Sequence, residues 1–372
     1  MTVNRLVALD MPASVEFADL VRKAWDAGDA VFPIDQRLPQ AAKDSLVEQF
    51  KPSVLIDRTG SVVNLLGSEP TEEGDALVIA TSGSTGAPKG VVHTHDSIRA
   101  LLNMSQARLR TDSSTHWLLC LPVSHVAGFS VLARSLVFGN PISILPKFDE
   151  SEVLAAAKSG ATHISLVPTT LNRIDPAIFE SILLGGAAAP PNLPANVTTT
   201  YGMTETFGGI VYNGIPLDGI HVRVADEHIE LQSPSLFRTY RGSKAQLSAE
   251  GWYETGDNGS FTNNVLQVFG RSDDMIITGG ENVWPIAVER VVSTIPGVER
   301  VVVRGIDDAQ WGQRVVAWIV SSNAVAPSLE KVRQHVKQQL PSFCAPTEIR
   351  IVNDIPTTSL GKVDFQALKI LR

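Results

Sequence analysis

The sequence predicts an α/β fold in which parallel-rich sheets are covered by helices. Up to about Gly214, short apolar runs of strand length alternate with stretches of helix length, a pattern typical of parallel sheets. Short β-runs separated by turns follow, and beyond Arg271 helix-like and strand-like stretches are mixed. We therefore expect a large N-terminal domain over residues 1–271, with parallel-rich sheets and a β-rich subdomain, and a small α+β C-terminal domain over residues 272–372.

The individual elements are predicted from apolar runs bounded by polar or turn residues. In the first part, strands are expected at 54–57, 77–81, 116–121, 142–145 and 163–167, and helices at 97–109 and 150–159. The β-rich part has expected strands at 228–231 and 265–269. In the C-terminal part, helices are expected at 288–295 and 329–340 and strands at 301–304 and 315–320. We place the domain boundary at residues 271–274.

Composition and charge exclude several classes of function. The chain of 372 residues has a net charge of −8 at pH 7, which argues against nucleic acid or an anionic membrane as the main partner. Its two cysteines, Cys120 and Cys344, lack metal-ligand spacing, so we expect core thiols in a reducing compartment. The chain shows neither a membrane-length apolar run nor a signal-peptide pattern. We therefore expect a cytoplasmic protein without membrane insertion.

A loop rich in glycine and hydroxyl residues follows the predicted strand at 77–81. Before Lys89 it contains Thr81, Ser82, Gly83, Ser84, Thr85 and Gly86. The glycines let the backbone close around an anion, the hydroxyls offer hydrogen bonds and Lys89 supplies positive charge. Pro88 and Gly90 flank that lysine, where a Walker loop needs glycine before it and serine or threonine after it. We predict a phosphate-binding loop of another kind; the alternative is a flexible surface turn.

This loop resembles the signature of the adenylate-forming enzymes, the superfamily of acyl-CoA synthetases, adenylation domains and luciferases. Further segments resemble that family's motifs in the same order, at residues 121–128, 184–190, 201–206, 252–257, 270–277 and 356–362. The resemblance runs from about Asp29 to the C-terminus. It implies that ATP and a carboxylic acid form an acyl-AMP in the presence of Mg²⁺. It also implies that coenzyme A then accepts the acyl group, after the small mobile C-terminal domain has rotated about Asp273 as a hinge.

The resemblance implies a role for each matched residue. The catalytic set comprises Lys89 at the phosphates, His125 beside the acyl carboxylate, Thr204 at the α-phosphate, Glu205 as the Mg²⁺ ligand and Lys362 bridging carboxylate and phosphate. The nucleotide is expected on the phosphate loop and on Gly185, Gly186, Ala187, Tyr201, Gly202, Asp257 and Arg271. Coenzyme A is expected on Gly279, Gly280 and Trp311. His93 and His95 form a His-x-His pair without a third metal ligand nearby, and we assign the pair to structure.

The identity of the acid is a finer question. Segments 125–136, 165–170 and 212–219 most resemble the o-succinylbenzoate–CoA ligases of menaquinone synthesis. The phosphate loop begins at residue 81, earlier than in most relatives, so we expect a departure from the usual first subdomain. The acid of these ligases carries a second, aromatic carboxylate, which needs polar or cationic company when buried. Arg134 and Arg173 are candidates for that contact; the alternative is that each makes a structural salt bridge.

Other functions stay open at this point. The chain could be a general aryl- or medium-chain acyl-CoA synthetase with the same chemistry. It could also be an adenylation domain that loads a carrier protein, or a nucleotide-binding protein that has lost activity. In the ligase interpretation its partners are small molecules (the acid, ATP and coenzyme A), and a homo-oligomer stays open.

Overall fold

The computed structural model describes residues 4–81, 88–190, 192–242, 247–321, 326–357 and 363–371. The chain divides into two compact units. The first comprises Met1–Ala189, Leu193–Val222 and Leu231–Tyr253, and the second comprises Pro190–Asn192, Arg223–Glu230 and Glu254–Arg372. The division into domains at residues 271–274 stays a prediction. No helix in the described part of the chain is long and apolar enough to cross a membrane.

We number the described strands and helices in chain order. The strands are β1 Leu6–Asp10, β2 Ala30–Pro33, β3 Val54–Asp57, β4 Val62–Asn64, β5 Asp75–Thr81, β6 Lys89–Thr94, β7 Trp117–Leu119, β8 Ile142–Ile144, β9 His163–Leu166, β10 Ser181–Leu184, β11 Val197–Met203, β12 Gly208–Tyr212, β13 Ile215–Pro216, β14 His221–Ala225, β15 His228–Gln232, β16 Thr239–Arg241, β17 Tyr253–Thr262, β18 Val265–Arg271, β19 Ile276–Thr278, β20 Glu281–Val283, β21 Val298–Asp308, β22 Gly312–Ser321 and β23 Glu348–Ile351. The helices are α1 Val15–Asp26, α2 Gln40–Phe50, α3 His95–Leu109, α4 Val126–Phe138, α5 Glu150–Lys158, α6 Pro168–Leu171, α7 Pro285–Val292, α8 Leu329–Lys337 and α9 Phe365–Ile370.

The first sheet carries the strands on either side of the predicted phosphate loop. Its order is β16-β6-β5-β2-β1-β3-β4. Strands β1, β2, β3 and β5 run parallel to one another, whereas β6 is antiparallel to β5. The buried side chains of Leu6, Phe32 and Val78 pack against Phe50 of α2 in one core cluster. Buried parallel strands of this kind are largely apolar, and the sequence predicted β3 and β5 on that basis but missed β1 and β2.

The second sheet is parallel at its centre. Its order is β13-β12-β11-β10-β9-β7-β8. The strands from β8 to β11 are parallel, and β12 and β13 are joined antiparallel at one edge. Val153 and Ala156 of α5 pack against Leu118, Ile164 and other strand residues in its core. The predicted α/β class with parallel-rich sheets is therefore confirmed.

The second unit contains an α+β layer structure. Strands β21 and β22 form a long antiparallel pair, with β19 and β20 on one side and β23 pairing with β22. Residues of β22 alternate between two cores, because successive side chains of a strand point to opposite faces. Val315, Ala317 and Ile319 pack in the core that includes α7 and α8, whereas Val316 and Trp318 pack with residues of α9. A four-stranded sheet of order β14-β15-β17-β18 completes the described strands.

Several predicted element ends differ from the structure. The strand expected at 116–121 is only Trp117–Leu119, and the next residues lead into Pro122, which has no N–H for a sheet ladder. The helix expected at 288–295 begins earlier, at Pro285, and ends at Val292. Proline suits the first helical turn, and this start signal was missed. The helix expected at 329–340 ends at Lys337, because Pro341 disfavours helical backbone in the residue before it.

Candidate active site

The predicted phosphate loop lies between two paired strand ends. Thr81 ends β5 and Lys89 begins β6, and the two residues are direct partners in the antiparallel ladder. The hydroxyl of Thr81 donates to the carbonyl oxygen of Lys89 over 3.4 Å. The predicted site residues Ser82, Gly83, Ser84, Thr85, Gly86 and Lys362 lie outside the described residues.

Tyr240 connects the phosphate-loop lysine with the predicted metal ligand. It belongs to β16, which pairs with β6. Its hydroxyl donates to Oε1 of Glu205 over 3.0 Å, and Nζ of Lys89 lies 5.1 Å from the centroid of its ring. Two residues that the sequence assigned to phosphate and metal are therefore neighbours of the same tyrosine. Sequence reasoning missed Tyr240, because only pairing between distant strands brings it to Glu205.

The protonation state of Tyr240 fits its role as a hydrogen-bond donor. Burial raises the pKa of the phenol most, followed by the nearby charge of Glu205 and the hydrogen bond with Tyr253. The hydroxyls of Tyr240 and Tyr253 are 3.2 Å apart. The backbone of Glu205 is held as well, because its carbonyl oxygen accepts from the N–H of Phe237 over 2.8 Å. Glu205 is thus fixed at both its backbone and one carboxylate oxygen.

The donor set around Glu205 fits Mg²⁺ that arrives with a nucleotide. Magnesium in nucleotide sites is usually held by one or two carboxylates together with substrate phosphates and water. Glu205 is partly exposed and offers one carboxylate near Lys89. Within the described ranges there is no group of three or more His, Cys, Asp or Glu residues that could cage a metal. The arrangement therefore suits a shared metal site better than an all-protein one.

His93 links β6 with the segment that carries Thr204. The ring is fully buried, and Nε2 donates to the carbonyl oxygen of Thr204 over 2.7 Å. Its Nδ1 is 3.1 Å from Oγ of Ser97. Burial lowers the pKa of His93 to about 4, so the ring is neutral. His95 packs edge-on against Trp25, with ring centroids 5.1 Å apart. Both histidines make structural contacts, in line with the assignment from sequence.

The carboxyl ends of the parallel strands collect the other predicted residues of the first unit. Gly185 and Ala187 follow β10 directly, and Tyr201 lies in the neighbouring β11. His125 follows β7 in the same sheet. Parallel strands end at one edge of a sheet, and in open α/β sheets ligands bind at that edge. The second sheet therefore brings the predicted adenine and carboxylate residues to a common edge.

Three glycines at this edge are required by close packing or by a left-handed backbone conformation. A Cβ added at Gly185 would lie 2.5 Å from Oγ1 of Thr200, and Gly186 has φ of +81°. At Gly202 a Cβ would collide with the carbonyl group of Gly208 on β12. A register shift between Tyr201 and Gly202 accompanies this close approach. These glycines therefore have a structural explanation in addition to the predicted contact with the nucleotide.

His125 lies at the start of α4, where its ring contacts a charged pair. It is the N-cap residue, but its side chain makes no capping hydrogen bond. Nη2 of Arg37 is 2.7 Å from Nε2 of His125, and Oδ2 of Asp35 is 3.4 Å from the same nitrogen. Arg37 and Asp35 follow β2 in the first sheet. The sequence analysis missed both, although a charged pair directly after a buried strand is a usable signal.

The Asp35 carboxylate is charged despite its burial. Burial on its own would raise the pKa of Asp35, but the hydrogen bonds from Arg37 and its positive charge outweigh that effect. The pKa is therefore held well below its ordinary value, and the group is ionised throughout the neutral range. The site next to His125 thus combines a fixed anion with a fixed cation.

In the second unit, the predicted ribose residues are direct neighbours. Asp257 of β17 pairs with Arg271 of β18, and Nε of Arg271 lies 3.5 Å from Oδ1 of Asp257. Nη1 of Arg271 donates to the carbonyl oxygen of Thr255 over 3.4 Å. Gly256 has φ of +72°, and a Cβ there would lie 3.3 Å from the Arg271 guanidinium. The sheet thus brings together two residues that the sequence assigned to the nucleotide.

The residues predicted for coenzyme A are also brought together. Gly279 and Gly280 form the turn between β19 and β20, with φ of +61° and +85°, as a two-residue hairpin turn with two left-handed positions requires. The N–H of Gly279 donates to the carbonyl oxygen of Trp311 over 2.8 Å. Trp311 is half exposed. Asp273, the predicted hinge, lies in the single turn Ser272–Asp274.

The two candidate arginines have different surroundings. Arg134 is buried, lies with Cζ 4.5 Å from the ring centroid of Trp117 and donates through Nη2 to Oγ of Ser105 over 2.8 Å. Arg173 is half exposed and pairs with Glu150 through Nε over 2.7 Å. Arg173 therefore makes the salt bridge of the structural alternative, whereas Arg134 has no ion pair among the described residues. A role with the substrate stays a prediction for both.

Comparison with known proteins gives matches along most of the chain. Residues 64–231 match the family described as AMP-binding enzyme, and residues 287–362 match the AMP-binding enzyme C-terminal domain. A protein of Mycobacterium tuberculosis named "Probable 2-succinylbenzoate–CoA ligase" is 39% identical over 337 residues, covering 82% of this chain and 88% of that protein.

Solved structures match over the full length. The o-succinylbenzoate CoA synthetase of Bacillus subtilis, in complex with its acyl-adenylate intermediate, superposes with a TM-score of 0.85 at 25% identity, covering 100% of this chain and 89% of that one. A second structure of that enzyme, with ATP and a magnesium ion, has a TM-score of 0.85 at 24% identity, covering 99% of this chain and 90% of that one.

Proposed function

Because this chain belongs to the family of AMP-binding enzymes, we propose that it is an ATP-dependent carboxylate–CoA ligase that acts on o-succinylbenzoate through an acyl-AMP. The observation that carries the proposal is the cluster in which Lys89, Tyr240 and Glu205 meet beside the strand ends of the phosphate loop. The substrate is taken from the relative of Mycobacterium tuberculosis, which is aligned over 88% of its length. The product would be a precursor of menaquinone.

In the first half-reaction, a carboxylate oxygen attacks the α-phosphorus of ATP and pyrophosphate leaves. Such transfers ask the protein chiefly for positioning and charge stabilisation. Lys89 and the phosphate loop bind the phosphates, Thr204 contacts the α-phosphate and His125 orients the acid. Glu205, aimed by Tyr240, would hold Mg²⁺, which supplies positive charge next to the phosphates. Lys362 bridges the acid and the phosphate in this step.

Nucleotide recognition and the second half-reaction involve other residues. Asp257 can accept hydrogen bonds from ribose hydroxyls, because an ionised carboxylate has only acceptors. Gly185, Gly186 and Ala187 line the adenine, and Tyr201 stacks on it. Coenzyme A contacts Gly279, Gly280 and Trp311, and its thiol sulfur attacks the acyl carbon so that AMP leaves. Asp273 is the proposed hinge between the two steps, and we propose a cytoplasmic location.

The first experiment measures CoA-thioester formation from o-succinylbenzoate, ATP and Mg²⁺, beside benzoate and octanoate. A strong preference for o-succinylbenzoate is expected. Turnover of the other acids at equal rates would leave the ligase chemistry and reject the substrate. Pyrophosphate release without turnover to a thioester would point to the carrier-loading alternative, and no reaction with any acid would support a binding protein.

A second experiment separates the half-reactions at Lys362. We expect Lys362→Ala to lose acyl-AMP formation, because that step needs the cation between the two anionic reactants. The same variant is expected to convert supplied o-succinylbenzoyl-AMP to the thioester at close to the wild-type rate. An equal loss in both steps would contradict a role confined to adenylation.

A further inference from the structure

The contacts of Arg37 hold its side chain in one orientation. Nε of Arg37 donates to Oδ1 of Asp35 over 2.9 Å, and Nη2 donates to Oδ2 over 2.6 Å. The backbone N–H of Arg37 also donates to Oδ1 over 2.9 Å. Asp35 is buried, with 4% of its side chain exposed, whereas 43% of the Arg37 side chain is exposed. A two-pronged pair of this kind fixes the plane of the guanidinium.

The fixed guanidinium determines which nitrogen of His125 can carry the proton. A guanidinium has only donors, so Nε2 of His125, 2.7 Å from Nη2 of Arg37, must be the acceptor. The proton of the neutral ring is then on Nδ1. Asp35 acts in the opposite sense, since its Oδ2 would accept from a proton on Nε2. The distance from Oδ2 of Asp35 to Nε2 of His125 is 3.4 Å, longer than the 2.7 Å from Nη2 of Arg37. Because Arg37 also cannot give up its charge, its N–H group determines that Nε2 accepts a hydrogen bond.

The remaining ring nitrogen is available to a ligand. No described residue makes a hydrogen bond to Nδ1 of His125, and 30% of its side chain is exposed. The ring does not cap α4 either. We propose that Asp35 and Arg37 are positioning residues that hold His125 in its Nδ1–H tautomer, so that Nδ1 donates to the acyl carboxylate. The role of the carboxylate in this statement rests on the proposed function; the tautomer rests on the geometry alone.

The tautomer can be measured directly by NMR of the ¹⁵N-labelled histidine rings at about pH 8. The signal of His125 is identified by its loss in His125→Ala. We expect the wild-type protein to show a proton on Nδ1 and a free Nε2. In Arg37→Met, which keeps the apolar stem but has no donor, the proton is expected to move to Nε2, facing Asp35. An unchanged tautomer in Arg37→Met would overturn the proposal.

The chain offers a matched control in Arg5. Arg5 pairs with buried Asp29 through Nε and Nη2 over 3.0 and 2.7 Å, and its backbone N–H also donates to that carboxylate. It uses the same three N–H groups as Arg37 on a buried aspartate, although both of its side-chain donors go to Oδ2, and no histidine among the described residues hydrogen-bonds to it. Arg5→Met is therefore expected to leave the His125 signal and the activity unchanged. Arg37→Lys keeps a cation and is expected to restore the Nδ1–H tautomer. If Arg5→Met also shifted the proton, the effect would be one of general destabilisation and the proposal would fail.

Kinetics distinguish positioning from direct substrate binding. For acyl-AMP formation, Arg37→Met is expected to lower kcat about tenfold, because His125 is kept but orients the acid less well, with little change in KM for ATP. Conversion of supplied acyl-AMP is expected to be unchanged. A rise in KM for the acid together with an unchanged tautomer would make Arg37 a substrate ligand instead. Should wild-type protein activate no acid, the proposed function would fail while the NMR result still tested the tautomer.

Discussion

Two pairs of like residues in the first unit are used in different ways. His125 and Arg37 are partly exposed, and the ring of His125 has its partners on Nε2 alone among the described residues. His93 and Arg134 are buried. Both ring nitrogens of His93 meet protein groups, whereas Arg134 donates through Nη2 to Ser105 and its buried Nε has no hydrogen-bond partner among the described residues. A basic side chain becomes available for chemistry where its neighbours fix it, leave one polar atom free and keep the side chain partly exposed, as at His125. Residue type alone does not make that distinction.

The position along α4 reinforces the contrast. Arg134 lies nine residues after His125, which is about 13 Å along the helix axis. It stacks on Trp117, at the start of β7, whereas His125 follows the end of that strand. The start and the end of a strand lie at opposite edges of a sheet. The buried arginine and the predicted carboxylate site are therefore at opposite edges of the second sheet.

Replacing the exposed histidine is expected to have the largest effect. His125→Ala should lower kcat/KM for acyl-AMP formation about 100-fold, because it removes the group that orients the acid. The melting temperature should change little, since the ring is partly exposed and caps nothing. Pyrophosphate release measures the first quantity and thermal unfolding the second. A large drop in the melting temperature would instead show that His125 has a structural role, like buried His93 and Arg134.

The buried histidine is expected to act on stability through pH. Its pKa is lowered from 6.5 to about 4 in the folded chain, so the unfolded chain binds its proton more readily. The stabilisation is thus present above about pH 6.5 and is lost as pH falls through 4. Between pH 8 and pH 5 we expect a loss of about 2 kcal/mol from this residue. Urea unfolding of the wild type and of His93→Gln at both pH values measures the difference; equal losses in the two proteins would contradict it.

Tyr240, the hydrogen-bond partner of the predicted metal ligand Glu205, gives a second test of the partly exposed site residues. Tyr240→Phe removes the hydroxyl that donates to Glu205. A hydrogen bond to a charged group contributes about 1.5–3 kcal/mol, so the Mg²⁺ concentration for half-maximal ATP binding should rise about tenfold, as measured by calorimetry. Tyr253→Phe, one hydroxyl further away, is the control and should have a smaller effect. Equal effects would indicate a general disturbance of the ring cluster.

The smallest effect is expected at the buried arginine. Arg134→Met removes a buried cation, keeps an apolar stem over Trp117 and leaves the hydrogen bond of 2.8 Å between Ser105 and Tyr212. Because replacing a buried charge by an apolar residue of similar shape is often neutral, stability should change by less than about 1 kcal/mol. The KM for o-succinylbenzoate should be unchanged. A raised KM for this acid, with that for benzoate unaltered, would place Arg134 at the second carboxylate.

Local sequence patterns were enough for the fold class and for the order of the site segments. A buried parallel strand such as β5 is a continuous apolar run. The N-cap Thr94 was not used, so the helix expected at 97–109 begins earlier in the structure, at His95. The ends of α7 and α8 were predicted less well, because the proline signals at Pro285 and Pro341 were not used. The residues of the pairs Asp257–Arg271 and Gly279–Trp311 belong to separate motifs. Strand pairing brings the first pair together, and a backbone hydrogen bond joins the second.

The sequence by itself determined the α/β class and predicted a phosphate-binding loop, because periodicity and residue type are local properties. The list of motif residues came from a resemblance to a known family, which short segments also carry. Tertiary structure alone decided that Arg37 and Asp35 contact His125, and that Tyr240 contacts Glu205. It also decided that Arg134 is buried. The physical reason is that these contacts join strands and helices far apart in the chain, where no short-range pattern records which polar atom is satisfied and which is left free.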